Sequence, residues 1–417
     1  GRVVPGKYPE APRSYILKNS GPKFIDVTEH IAPTLKNSGM VTSAIFCDVN
    51  GDSWDDLLIT YEWGPVRYYQ NDNGKLFDRT SESGLGDRLG WFNSISAGDI
   101  DNDGDIDFVI GNFGFNTKYK ATLKKPELLY YGDFEGAGKK NIVEAKYENN
   151  ICLPRRGLSC SSNAMPIVKD KFPTYHDFAV SSVQDIYTEA LLSSADKLIA
   201  NELASGVLLN EQNIGGEVVF KFYPLPRIVQ VSPVFGSSLC DVNGDGKIDL
   251  FVVQNFSGPQ RETGYMHGGI GQLLLGDGKG FFQPISADIS GIKISGDATT
   301  LTSHDFNGDG MVDFLVGVND DNYKLFINQG EKRTVKIRLP DYPKGRNFAG
   351  SKIKIHYNDG SVQLHQSTIG GGYLSQSAPI IFVGDKANVK KIIVKWSDGL
   401  ENELNIEPVL TTFSLKN

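Results

Sequence analysis

The sequence predicts an all-β chain: a seven-bladed β-propeller with one blade incomplete, followed by a small β-sandwich. Three observations predict it. An aspartate-rich loop of nine residues recurs four times in register. Each copy runs directly into a short apolar stretch (LLI, FVI, LFVV, FLV) that reads as a buried strand. From about Lys332 the loops stop, and segments such as SKIKIHYN, SVQLHQSTI and KKIIVKWS take over with the two-residue period of strands. Residues 1–331 are therefore assigned to the propeller and 332–417 to the sandwich.

Composition agrees. A chain of 417 residues exceeds the usual size of one core, and 40% hydrophobic with 22% charged residues places it among globular proteins. The 46 glycines, with Asn and Asp at the turns, suit short strands and tight hairpins. No apolar run is long enough to span a bilayer. A net charge of −8 argues against nucleic acid as a partner.

The repeats decide the reading. They are Asp48-VNGDSWDD, Asp99-IDNDGDID, Asp241-VNGDGKID and Asp305-FNGDGMVD. Oxygen-bearing side chains stand at positions 1, 3, 5 and 9: Asp48, Asn50, Asp52 and Asp56; Asp99, Asp101, Asp103 and Asp107; Asp241, Asn243, Asp245 and Asp249; Asp305, Asn307, Asp309 and Asp313. Position 7 (Trp54, Asp105, Lys247, Met311) varies, as expected if only its carbonyl is used. Position 6 is Gly104, Gly246, Gly310 or Ser53, which suits a backbone turned into the left-handed region.

Alternating oxygens on a curled loop suit a hard cation such as Ca²⁺, which takes six to eight of them. An EF-hand would need Glu at position 12 and a following helix, but position 12 is Ile59, Ile110, Val252 or Val316. Carboxylates a few ångströms apart repel by about 1 kcal/mol in water and about 4 kcal/mol at an intermediate dielectric, so such clusters ask for a cation. The competing reading is a set of Asn/Asp/Gly hairpin turns. About four Ca²⁺ sites are expected, which would bring the formal charge from −8 to near zero. A fifth copy at Asp133, Glu135 and Asn141 has Ala137 at position 5, and is expected to be weak or empty.

Blade by blade, the loops start at 48, 99, 133, 241 and 305. The interval from 133 to 241 leaves room for a further blade without a loop around 187–224, with outer strands Gly206–Asn210 and Val218–Tyr223. The N-terminal pair YILKN and KFIDV reads as the second half of a seventh blade whose first half lies upstream. With the opening Gly1-Arg2-Val3, this suggests a removed leader or a piece of a longer chain. Of the four cysteines, Cys47 and Cys240 precede loops and read as buried thiols; Cys152 and Cys160 are close enough in sequence to pair in an oxidising compartment.

These loops resemble the FG-GAP/VCBS repeats of integrin-α-like propellers. The segments GMVTSAIFCDVNGD, GWFNSISAGDIDNDGDIDFVIGNFGFNTKYKA and LPRIVQVSPVFGSSLCDVNGDGKIDLFVVQNF are similar to large extracellular VCBS-repeat proteins of Bacteroidetes, and more distantly to the cartilage acidic protein group. The stretch GSVQLHQSTIGGGYLSQSAPIIFVGDKANVKKIIVKWSDG resembles the ASPIC/UnbV domain, departing from it at Phe382-Val383-Gly384. The resemblance implies a secreted protein or lipoprotein at the cell or outer-membrane surface. A lipid anchor or upstream domain outside the chain stays open.

Loops after each second strand must lie on the face opposite the metal loops. They supply Trp63, Asn112, Phe113, Asn116, Asn255, Phe256 and Asn319, with Trp91 from an entering loop. Aromatic rings beside amides suit a glycan or protein ligand; the competing reading packs them between blades. The six histidines (30, 176, 267, 304, 356 and 365) show no zinc spacing, and no nucleophile motif is present. Tyr265 and His267 alone invite an acid/base reading. The first functional expectation is a calcium-stabilised binding or adhesion module. The alternatives are a propeller enzyme acting on polysaccharide, a lyase or hydrolase, and a structural subunit of an outer-membrane complex.

Overall fold

A computed structural model describes residues 1–212, 217–259, 263–330, 334–338, 348–384, 386–404 and 412–413. Strands dominate, and no described helix is long and apolar enough to cross a membrane.

Four sheets carry the aspartate loops. The first contains Met40–Cys47, Asp56–Gly64, Arg67–Asp72 and Lys75–Asp78. The second contains Ser94–Gly98, Asp107–Gly111, Gly206–Gln212 and Val218–Pro224. The third is Val234–Cys240, Asp249–Gln254, Gln272–Gly276 and Phe282–Pro284. The fourth has three strands, Asp297–His304, Asp313–Asn319 and Lys324–Phe326. Each loop closes an antiparallel hairpin in the same register. The residue before position 1 faces position 9: Cys47 with Asp56, Gly98 with Asp107, Cys240 with Asp249, and His304 with Asp313.

Why the second strands are apolar throughout follows from where they sit. Leu58, Phe108 and Ile110 meet between the first and second sheets. Val109, Leu250 and Val252 meet between the second and third. Phe251, Val253, Phe314 and Val316 meet between the third and fourth. Alternate residues of one strand thus serve different cores, and both faces are covered. The first strands of successive sheets pack side by side.

Segment 369–377 from the C-terminal region bridges the first and fourth sheets. Ile369 and Gly370 pair with Phe46 and Ile45, while Ser377 Oγ accepts from Ser303 N and Thr302 Oγ1 donates to Gln376 O. Three consecutive glycines thread it. A Cβ on Gly370 (φ +100°) would lie 2.4 Å from Ala44 O, and one on Gly371 (φ +77°) 2.7 Å from Ile95 O.

The remaining C-terminal strands form two sheets, one of Lys352–Tyr357, Val362–Gln366, Val389–Lys395 and Glu401–Leu404, the other of Val335–Arg338, Ile380–Val383 and Thr412–Phe413. Ile337, Val383, Ile353, Ile355, Ile392 and Trp396 share one core between them.

The blade count differs from the sequence reading. Gly206–Gln212 does not begin an outer pair of its own blade; it pairs with Asp107–Gly111 and completes the second sheet. The chain between them is an insertion. It holds the degraded fifth loop in a separate sheet of Glu127–Gly132, Asn141–Glu148, Ile151–Pro154 and Asp196–Ala200, with five short helices over 158–194. Its core is its own, built on Leu128, Val143, Phe178 and Ile186. The N-terminal hairpin Leu17–Ser20 with Lys23–Asp26 stands as a two-stranded sheet. Seven blades are therefore not found among the described residues. An insertion between two strands of one sheet cannot be told by length from extra blades.

Candidate metal centre

The four loops share one hydrogen-bond plan. The position 3 Oδ1 accepts the position 5 N–H (Asn50–Asp52 3.0 Å, Asp101–Asp103 3.3 Å, Asn243–Asp245 2.9 Å, Asn307–Asp309 3.0 Å). The position 5 Oδ1 accepts the position 7 N–H (Trp54, Asp105, Lys247, Met311) at 2.8–3.1 Å. These contacts curl the backbone and set the side chains on one side of it.

Position 9 has a second task that spacing did not suggest. Asp56, Asp107, Asp249 and Asp313 are completely buried. One oxygen of each accepts the position 2 N–H, from Val49, Ile100, Val242 or Phe306. The other accepts a backbone N–H at or beyond the third strand, from Asn71, Asn210, Gly276 or Asn328. Asn210 and Asn328 then reach across: their Nδ2 groups donate to Val49 O and Val242 O of the neighbouring loops. Asn210 and Asn328, which bond to position 9 and to a neighbouring loop at once, are the sequence signal for this second task.

Position 1 is where the loops part company. Asp48, Asp99, Asp241 and Asp305 are all buried. Asp48 Oδ2 takes the Lys352 ammonium and the Ser53 N–H. Asp305 Oδ2 takes the Lys336 ammonium and the Gly310 N–H. Among the described residues Asp241 accepts only from N–H groups of its own loop, those of Gly244, Asp245 and Gly246. Asp99 Oδ2 accepts Leu364 N at 2.8 Å, and its Oδ1 has no partner.

The second loop is the most acidic. Elsewhere the position 3 amide donates to the position 5 carboxylate (Asn50 to Asp52 2.9 Å, Asn243 to Asp245 3.3 Å, Asn307 to Asp309 2.8 Å). Here Asp101 stands in its place and carboxylate faces carboxylate. Oxygens of Asp99, Asp101 and Asp107 lie within 4.8 Å of one another, and Asp105 Oδ1 has no partner either. Burial, then the neighbouring charges, push Asp99 up to about 7, Asp107 to about 8 and Asp105 to about 9. Burial likewise raises Asp56 and Asp249 to about 7 and Asp241 to about 6. Asp305 goes the other way: burial would raise it, but Lys336 and two backbone N–H groups hold it below the usual carboxylate range.

A buried, unpartnered carboxylate oxygen among other carboxylates is costly unless a cation meets it. The second loop therefore fits a hard divalent ion. The degraded loop does not share the arrangement: both Asp133 oxygens are taken by N–H groups of Glu135, Ala137 and Gly138.

The residues assigned to an opposite ligand face are mostly interior. Trp63 and Trp91 meet edge to face at 4.6 Å, and Trp91 packs on Phe113 at 4.9 Å and Tyr119 at 4.7 Å. Leu129, Ala200 and Leu203 of the insertion complete this cluster, so the insertion covers the rim. Asn112 donates to Glu202 O and Ala204 O, and Asn255 to Gly269 O and Gly296 O. Phe256 lies between Phe113 and Phe235. Of the set, Trp63, Trp91, Asn112 and Asn255 are buried and spent on packing and hydrogen bonds. Asn116 and Asn319 are exposed, as are Phe115, Tyr265 and Tyr323.

Ser257, His267 and Asp297 meet, but not as a relay. His267 Nε2 faces both Ser257 Oγ at 2.6 Å and Asp297 Oδ1 at 2.8 Å. A triad needs the acid on one ring nitrogen and the nucleophile on the other. Tyr265 stacks on His267 rather than opposing it across a cleft. All four cysteines are free, with Cys152 buried and Cys160 exposed.

Comparison with family models matches an FG-GAP-like repeat to residues 48–110 and 241–316, and the ASPIC and UnbV domain to residues 343–417. The repeat implies a β-propeller-like fold for the sheets that carry the loops. Comparison with curated proteins gives no match.

Proposed function

Taking the chain as an FG-GAP-repeat protein that ends in an ASPIC and UnbV domain, we propose that it is a calcium-stabilised binding module of the extracellular or cell-surface kind, recognising a glycan or a protein. One observation carries the calcium part: the buried Asp99 Oδ1, without a partner, among the oxygens of Asp101 and Asp107. Asp99, Asp101, Asp103 and Asp107 would hold the ion, with the Asp105 carbonyl. Bound calcium would supply charge neutralisation, letting buried carboxylates ionise while the hairpin stays closed.

The recognition surface follows from topology and exposure. Loops after the second strands lie away from the metal loops, and their exposed members include Phe115, Asn116, Asn319 and Tyr323, joined by Tyr265. Exposed aromatic rings on loops held by a rigid scaffold favour stacking on sugar or peptide.

The test is calorimetric titration of the chelated chain with Ca²⁺, followed by glycan and protein arrays with and without EDTA. Calcium uptake reduced in Asp99→Asn, with array binding weakened by Tyr265→Ala or Tyr323→Ala, supports the reading. A chain that takes up no calcium refutes it.

A further inference from the structure

All four position 1 aspartates face the C-terminal region. Lys352 and Gln366 meet the first loop, Leu364 N the second, and Lys336 the fourth. In the third, Gly384 lies so close that a Cβ there would fall 1.9 Å from Asp241 Oδ2. Further contacts span the same junction: Gln363 Nε2 to Asn102 Oδ1, Gln366 Nε2 to Asp55 Oδ1, and Lys395 Nζ to Ser53 Oγ. Charge matches charge. Residues 332–417 carry 13 Lys and Arg against 7 Asp and Glu, a net of +6, whereas residues 1–331 carry 29 against 43, a net of −14.

The third and fourth loops form a natural comparison. Asp241 and Asp305 accept the same three N–H groups, from positions 4, 5 and 6. Among the described residues, only Asp305 also holds an ammonium. In both lysine pairs the carboxylate side chain is almost wholly buried, and the lysines are only 19% and 14% exposed. An ammonium buried so far is held by its carboxylate. A divalent ion on that carboxylate would stand beside a positive charge it cannot displace without undocking the strand that brings it.

We propose that Lys336 and Lys352 take the place of the metal in the fourth and first loops, so that the docked chain binds calcium in the second and third loops only. This rests on the calcium reading above and sharpens it. The first loop is the sterner case, because Asp48 keeps Oδ1 without a partner while Oδ2 is occupied.

Equilibrium dialysis with elemental analysis, starting from EDTA-treated protein, counts bound Ca²⁺ per chain. Wild type should bind two ions, Lys352→Met and Lys336→Met three each, and the double variant four. Should those variants misfold, aspartate variants decide: Asp99→Asn should remove one ion and Asp48→Asn none. Four ions on wild type, or the loss of one in Asp48→Asn, would overturn the proposal while leaving the calcium reading intact. No ions at all would overturn both.

Discussion

The second loop gives the sharpest test, because its two contributions have opposite signs. With oxygens of Asp99, Asp101 and Asp107 within 4.8 Å, each ionised pair repels by at least about 3.5 kcal/mol at an effective dielectric of about 20, and three pairs by about 10 kcal/mol. Without an ion the folded chain escapes by holding protons, which is what carboxyls raised to about 7 and about 8 express. The folded state then binds protons that the unfolded state has released. Stability of the ion-free protein therefore falls as pH rises from about 4 towards 8. For Asp99, the rise to about 7 corresponds to about 4 kcal/mol at most, and solvent screening brings a realistic share to about 2 kcal/mol.

Asp99→Asn separates the terms. At pH 8 in EDTA it should melt higher than wild type, by about 2 kcal/mol, because a buried charge is gone and an amide oxygen can still accept Leu364 N. In Ca²⁺ at a hundredfold excess over Kd it should melt lower, because wild type gains about 2.7 kcal/mol that the variant forgoes. Near 2.1 cal/mol/K per residue, 2 kcal/mol is about 2 °C for a chain of this length unfolding as one unit, within reach of scanning calorimetry. The crossing is the signature. If the variant is destabilised equally in EDTA and in calcium, Asp99 is only a hydrogen-bond acceptor, and the metal argument fails.

Other sites make independent predictions. Burial holds His365 neutral, down to about 4, so stability is full above pH 6.5 and falls as pH drops towards 4, by no more than about 3 kcal/mol; urea midpoints at pH 7 and 4.5 should converge in His365→Gln. Arg155 is paired with the buried Glu127 in the insertion, so Arg155→Met should cost about 3–5 kcal/mol, most of it recovered with Glu127→Gln. Gly371→Ala meets Ile95 O at 2.7 Å and should cost upwards of about 2 kcal/mol, seen as faster proteolysis after residue 366. Thiol titration should find one fast group, Cys160, and three that react only on unfolding, since Cys47, Cys152 and Cys240 are buried.

What the sequence made legible was local. Oxygens at positions 1, 3, 5 and 9 specify a curled hairpin, and the pairing of Cys47 with Asp56, or His304 with Asp313, is the register that spacing implies. Long-range placement was not legible. Nothing in the order of residues says that Gly206 will return to Ile110 across the whole insertion, so its outer strands were counted as another blade. The aromatic rim was read as a ligand face for the same reason. Trp63 and Trp91 do lie where the topology puts them, but Leu129 and Leu203 from the insertion bury them. Lys352 lies 304 residues from Asp48 in sequence, and no local pattern links a lysine in one strand to a carboxylate that far away.

The lysines also explain why the loops are alike in sequence but differ in environment. The first and fourth sheets are those that flank segment 369–377. Each has a neighbouring loop-bearing sheet on one side and the C-terminal region on the other. The strands that adjoin that segment in the chain, Val362–Gln366 and Ile380–Val383, pair with those that carry Lys352 and Lys336, so the element that fills the gap also helps deliver an ammonium to each bordering loop. The position 1 carboxylates of the second and third loops, placed between other sheets, meet Leu364 N and the bare backbone of Gly384, with no ammonium among the described residues. Charge neutralisation at the outer loops is then built into docking, whereas at the inner loops it must come from solution. Calcium and the C-terminal region should therefore support the same hairpins from different sides, and chelation should loosen the docked region even where it removes no ion from the loops that region touches with lysine.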